Sequence, residues 1–247
     1  MAATVLGCRV DPIGGADAVQ RIVAFASDDA PHLVVTLGTE MAVYAQRDPN
    51  FRAAVNGAAL SLCDTVGIRW AARMRGIPVP ERVAGVELIG PLCEALAREG
   101  LAVYLLGGRS DTAARAGAVL EREHPGLRIA GARDGFFSDA DSAAVAAAVA
   151  ASGARVLLAG LGSPRQELWL SRYLPDTGCG VGIGVGGSFD VVAGNVKRAP
   201  EAWRRLGLEW LYRLTAEPRR WRRQLALPQF VVLALWEKWF PARRLVV

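Results

Sequence analysis

Four short stretches of this 247-residue chain carry side chains able to do chemistry. In LSLCD an apolar run ends on a lone carboxylate, Asp64, and in PERVAG a loop carries Arg82. LLGGRS sets Gly107 and Gly108 ahead of Arg109 and Ser110, and GLGSPRQE sets Gly162 ahead of Gln166 and Glu167. Each has two readings. Asp64 caps the helix that follows it, since Asp is a favoured N-cap, or it faces a ligand. Gly107 to Ser110 form an ordinary strand-to-helix turn, or they offer a pyrophosphate free N–H groups and the positive end of a helix dipole. Gln166 and Glu167 cap their helix, or the Gln166 amide, which both donates and accepts, recognises a uracil or sugar group. Arg82 is solvated, or it clamps a phosphate with its bidentate fork.

Two further patterns carry less. Gly182, Gly184 and Gly187 match G-x-G-x-x-G, but inside an apolar run rather than at the turn opening a helix. The acid expected about 20 residues on would land in a basic tail, so no dinucleotide fingerprint is expected here. Asp139 and Asp141 match a D-x-D metal pattern, yet they start an Ala-rich helix, where the dipole favours acids anyway. With only two histidines, His32 and His124, neither a zinc site nor a His-based nucleophile triad is expected. The four cysteines (8, 63, 93 and 179) form no C-x-x-C pair and read as reduced thiols.

The elements that must position these residues alternate along the chain. Strand-like runs are expected at 33–38, 60–64, 101–108, 127–131, 155–162 and 179–187. Helical patterns fill 39–47, the stretch after Asp64 to Arg75, 85–100, 111–123, 138–152 and 164–174. Continuous apolar strands alternating with helices imply an α/β fold, a Rossmann-like parallel sheet covered by helices on both faces. Ligands of such sheets sit at the carboxyl ends of the strands. Thr36, Asp64, the Gly107 turn and the Gly162 turn all stand at expected exits.

Hydrophobic residues make up 52% of the chain and charged residues 21%, enough for a sizeable core. The net charge of +5 is uneven: 12 Lys/Arg and four Glu from Lys197 onward make that part +8, and the first 196 residues −3. Five of seven tryptophans also lie in that last part. We therefore expect a catalytic domain over 1–196 and a basic, Trp-rich helical appendage over 197–247. An anionic membrane surface suits the appendage best, with cations on headgroups and Trp, Leu and Phe in the interface. It holds no recognised base-reading motif, so nucleic acid is not an expected partner. The longest late apolar stretch, Leu225 to Trp236, is short for a span of about 20 residues and contains Pro228. No basic n-region leads into a long apolar stretch at the start, so no signal peptide is expected.

The stretches CDTVGIRWAARMRGIPVPERVAG, LLGG, GLGSPRQELW, GVGGSFDVVAGNVKRAP and GLEWLYRLTAEPRRWRRQ, in this order over roughly residues 30–225, resemble the bacterial glycosyltransferases of the WecG/TagA/CpsF family. The resemblance implies an inverting, metal-independent transferase without a cofactor. Such an enzyme moves a sugar, often N-acetylmannosamine, from a UDP-sugar to a polyprenyl-diphosphate-linked sugar acceptor in cell-surface polysaccharide or teichoic acid synthesis. It also implies a cytoplasmic protein, peripheral on the inner face of the membrane, with a homo-oligomer left open. The family's acid falls on Asp64, the expected general base, with Arg82 beside it in the catalytic role. The T-x-N motif falls on Thr36-Leu37-Gly38, the P-x-Q-E glutamine on Gln166 and the G-G-x-F-D aspartate on Asp190. With Gly107, Gly108, Arg109, Gly162 and Glu167 these complete the expected donor site. The C-terminal arginines fall among Arg213, Arg219, Arg220, Arg222 and Arg223, expected to meet the lipid diphosphate. Two positions depart from the family pattern: Gly38 replaces the Asn of T-x-N, and Thr65 replaces the glycine that usually follows the acid. Gly38 supports the rival reading, a non-catalytic membrane-associated UDP-sugar-binding protein; a dehydrogenase is a weaker third.

Overall fold

The computed structural model describes residues 3–201, 203, 209–216, 221 and 225–240. A small antiparallel hairpin, β1 (Thr4–Val5) and β2 (Cys8–Arg9), precedes helix α1 (Gly15–Ser27). The main sheet is built from β3 (His32–Leu37), β4 (Leu60–Cys63), β5 (Val103–Gly107), β6 (Ile129–Arg133), β7 (Val156–Gly160) and β8 (Val181–Gly184). Its order is β4-β3-β8-β7-β5-β6 and every pairing is parallel. This is the α/β, Rossmann-like arrangement expected from the alternation of apolar runs and helical patterns.

Period-two burial sorts the strand residues onto two cores. Leu33, Val35, Leu37, Tyr104, Leu106, Leu157 and Ala159 face one layer. That layer holds α2 (Thr39–Tyr44), α3 (Pro49–Gly57), α4 (Val66–Met74), α7 (Ser142–Ala151) and α8 (Arg165–Tyr173). Val34, Leu60, Leu62, Val103, Leu105, Leu158 and Ile183 face the other. There they meet α1, α5 (Gly85–Arg98), α6 (Thr112–Glu123) and α9 (Ser188–Val192). The helices after β3 and β7 thus leave on one face, and those after β8 and β5 on the opposite face. In open α/β sheets such a divergence marks the crevice above the carboxyl ends of the central strands where ligands bind.

Two glycines of the G-x-G-x-x-G match have a packing role. A Cβ at Gly182 would fall 2.7 Å from a Leu174 methyl, and one at Gly184 would fall 2.6 Å from Gln166 Nε2. Bare backbone at these positions lets α8 and the turn after it lie close on β8. The stretch 138–152 divides into a 3-10 turn, Asp139–Asp141, and α7. Asp141 Oδ2 accepts from both the hydroxyl and the N–H of Ser138, a capping box, so the D-x-D pattern serves a helix start.

Helix Glu209–Ala216 and a last helix, Ala226–Trp239, are described beyond Lys197. The last helix buries Phe230, Leu233 and Ala234 in the core shared with α2 and α4. Burial of a side chain such as Phe230 is worth about 1.5–3 kcal/mol. Glu237 pins its far end, pairing with Arg75 and accepting from the Leu6 N–H at 2.9 Å. Its outer side exposes Val231, Val232, Leu235 and Trp239. Among the described residues no helix is long and apolar enough to cross a membrane.

Candidate functional site

Asp64 stands one residue past the end of β4, held by its own N–H to the Leu37 carbonyl at 3.1 Å. Its carboxylate does not cap the helix that follows. That task belongs to Thr65, whose hydroxyl accepts from the Ile68 N–H. Asp64 Oδ1 instead accepts from the Gly85 N–H at 2.9 Å, the first residue of α5, 21 positions away in sequence. A distant helix start therefore presents an N–H and its positive dipole end to this carboxylate. Oδ2 faces Gly38: a Cβ built there would lie 3.9 Å from it, an ordinary contact. With φ −103° and ψ 168°, Gly38 has a backbone any residue can adopt. Asp64 is half-buried, while the preceding Cys63 is fully buried. Burial, helped by the Asp64 charge, pushes the Cys63 thiol up to about 12, so it stays protonated beside the acid.

The segment bearing Arg82 is pinned to the same strand end by Val83, whose N–H donates to the Cys63 carbonyl at 2.8 Å. Arg82 Nη2 meets Glu87 Oε1 at 2.7 Å, and Nη1 lies 3.5 Å from the Asp64 carbonyl. Thr36 turns its hydroxyl sideways, donating to the Gly184 carbonyl of β8 at 2.9 Å. The start of α5 rests on both strands: a Cβ at Gly85 would lie 3.6 Å from Thr36 Oγ1 and from Val185 Cα. Thr36, Gly38, Asp64 and Arg82 therefore form one cluster.

Gln166 and Glu167 form a second, next to it across the β8 exit. Gln166 is 2% exposed and Glu167 0%. The Gln166 amide bridges inward: Nε2 donates to Glu167 Oε1 at 2.7 Å, and Oε1 accepts from the Gly186 N–H at 3.0 Å. Glu167 Oε2 has no hydrogen-bond partner among the described residues. Burial raises the Glu167 carboxyl above its ordinary value. The Gln166 amide offsets this in part, and the Ser163 hydroxyl, nearby but outside ordinary hydrogen-bond geometry, a little more.

The third exit is the Gly107 turn. Gly107 has φ +142°, and a Cβ there would meet the Gly160 carbonyl carbon at 2.4 Å, so only glycine lets the β5 and β7 exits close up. Gly108 donates to the Gly160 carbonyl, and the exposed Arg109 starts the turn into α6. Gly162 follows β7, and its carbonyl accepts from the Gln166 N–H. From β4 to β5 is four strand steps, about 19 Å at roughly 4.8 Å each. Asp190 lies on α9, past the β8 exit. Its Oδ1 accepts from the Asn195 amide at 3.1 Å, and the same amide reaches Thr112 Oγ1 at 3.2 Å, latching the turn after α9 to the start of α6.

The sequence reading missed Gly85 and Glu87, which hold Asp64 and Arg82; Arg165, in the GLGSPRQE stretch, donates to the Gly135 and Phe137 carbonyls at 2.6 Å each. An acid at the third position of α5 was the one visible hint for Glu87. Of the tail arginines, Arg213 lies on helix Glu209–Ala216, while Arg219, Arg220, Arg222 and Arg223 lie outside the described residues. Among the described residues no group of three His, Cys, Asp or Glu side chains is arranged to hold a metal ion.

A sheet whose carboxyl edge gathers a carboxylate, an arginine and several main-chain turns belongs here to a glycosyltransferase. The chain is a member of the glycosyl transferase WecG/TagA/CpsF family, whose model matches residues 3–244. It is also similar to the N-acetylglucosaminyldiphosphoundecaprenol N-acetyl-beta-D-mannosaminyltransferase of Bacillus spizizenii, 35% identical over 202 residues, covering 82% of this chain and 78% of the relative.

Proposed function

We propose that this glycosyltransferase moves an N-acetylmannosamine-like sugar from a UDP-sugar to a polyprenyl-diphosphate-linked sugar, with inversion and without a metal ion. The activity named for the Bacillus spizizenii relative supports this choice of transferred sugar and acceptor. The observation that carries the catalytic part is the Asp64 carboxylate, one oxygen held by the Gly85 N–H and the other turned toward Gly38 at the crevice.

In the reaction, the acceptor hydroxyl oxygen attacks the anomeric carbon from the face opposite UDP. The bond from that carbon to the β-phosphate oxygen breaks, and its electron pair leaves with UDP. Asp64 takes the hydroxyl proton as general base. Arg82 and the helix starts after Gly108 and Gly162 offset the charge gathering on the departing diphosphate. Gln166 supports the donor pocket from below by fixing the β8 exit. The exposed apolar side of the last helix and the tail arginines rest on the anionic inner face of the membrane, which brings the lipid-linked acceptor to the crevice.

Asp64→Asn keeps the hydrogen bond from Gly85 and removes the base. Turnover, followed as UDP release with a short-chain prenyl-diphosphate sugar, is expected to fall about 10²–10⁴-fold while UDP binding persists. Wild-type turnover in this variant rejects the assignment.

A further inference from the structure

Two guanidinium groups meet on one carboxylate beside Asp64. Glu87 Oε1 accepts from Arg82 Nη2 at 2.7 Å and also from Arg198 Nη2. Two donors on one oxygen stand within about 6 Å of each other. Two cations thus share one carboxylate oxygen. The side chains are only partly open to solvent, with 20% of Arg82, 26% of Arg198 and 32% of Glu87 exposed.

Arg198 lies just past the expected domain boundary, yet local structure delivers it to this crevice. The Val196 N–H donates to the Asp190 carbonyl at 3.1 Å, Asn195 is latched to Thr112 and Asp190, and Ala199 is 3% exposed. The segment is thus anchored on both sides of Arg198. Arg198 Nε is buried and has no hydrogen-bond partner among the described residues. A buried N–H without an acceptor is costly, and an anion with several acceptor oxygens supplies one.

We propose that Arg198 is a second cation for the diphosphate of the donor, acting beside Arg82 on the same group. This inference rests on the UDP-sugar reading given above. A diphosphate offers oxygens on two phosphorus atoms, so two planar guanidiniums can each take their own set. Negative charge on the β-phosphate grows as the anomeric bond breaks, so both cations bind the departing group more strongly than the bound donor. Glu87 keeps the pair of arginines together while the crevice is empty.

The test is titration calorimetry of the full chain with UDP and with uridine, alongside thermal unfolding. Arg198→Ala is expected to weaken UDP at least 10-fold and to leave uridine within about twofold, because uridine has no phosphate for the guanidinium to meet. Arg198→Lys, which keeps the charge and loses the fork, is expected to fall between, and it carries the measurement should the alanine variant not fold. Unchanged UDP affinity in Arg198→Ala overturns this proposal alone. Equal losses for UDP and uridine also overturn it, since they mark a structural role. A wild-type chain that does not bind UDP overturns the donor reading and this proposal with it.

Discussion

Asp64 and Glu167 both follow strand exits, but their surroundings give them different work. Asp64 is half-buried, receives a helix-start N–H on one oxygen and turns the other toward a glycine. Glu167 is fully buried, and its contact with the Gln166 amide ties that side chain into the wall between β7 and β8. The first is the general base of the function proposed above. The second is closed to solvent, and burial favours its neutral form. One residue class therefore provides a base candidate at one exit and a structural strut at its neighbour, the difference set by solvent access and main-chain donors.

The sharpest way to break this contrast is to neutralise both acids. Asp64→Asn should lose about 10²–10⁴-fold in turnover and keep its melting temperature; Glu167→Gln should keep turnover within a few-fold. Equal activity losses would erase the distinction. A smaller effect probes the strut. A methyl at Gly184 would fall 2.6 Å from Gln166 Nε2, so Gly184→Ala should cost about 1–3 kcal/mol in urea unfolding. An unperturbed midpoint would mean the wall is loose.

Next comes the division of labour at positions 64 and 65. Thr65→Ala removes the α4 cap and should cost about 1 kcal/mol, whereas Asp64→Asn should leave α4 intact. The reverse ranking in thermal unfolding would return the capping role to Asp64.

Glu167 also makes a signed prediction for pH. Its folded-state value stands above the ordinary one, so its contribution to stability is fullest below that ordinary value and is lost as pH rises. Glu167→Gln should therefore flatten the decline of melting temperature from acid toward neutral pH. An unchanged slope would place the titrating group elsewhere. The smallest effect is expected from Gly38→Asn. The backbone there accepts any residue and the built Cβ makes only ordinary contacts, so stability should stay within about 0.5 kcal/mol. A large loss would show that the space beside Asp64 is already taken.

Much of this could be read from residue patterns. The apolar runs at 33–38 and 155–162 became β3 and β7, and the helical pattern at 85–100 became α5, because burial on two faces and 3.6-residue periodicity are local properties. Helices α1 and α3 went unread. The site was legible only as separate exits. Nothing near Asp64 announces that its partner is Gly85 rather than the helix it precedes, since Thr65 beside it could cap that helix too.

The amino-acid order by itself determined the alternation of strands and helices, the glycine-rich turns and the uneven charge, since each depends on neighbours within a few positions. Strand order was settled only by the folded chain, and with it every contact between exits. Gln166 reaches Gly186 because β7 and β8 are adjacent, and Glu87 reaches Arg198, 111 positions away, because the turn after α9 returns to α5. Such pairings depend on which elements pack side by side, a property of the whole sheet and its two cores that no single stretch encodes.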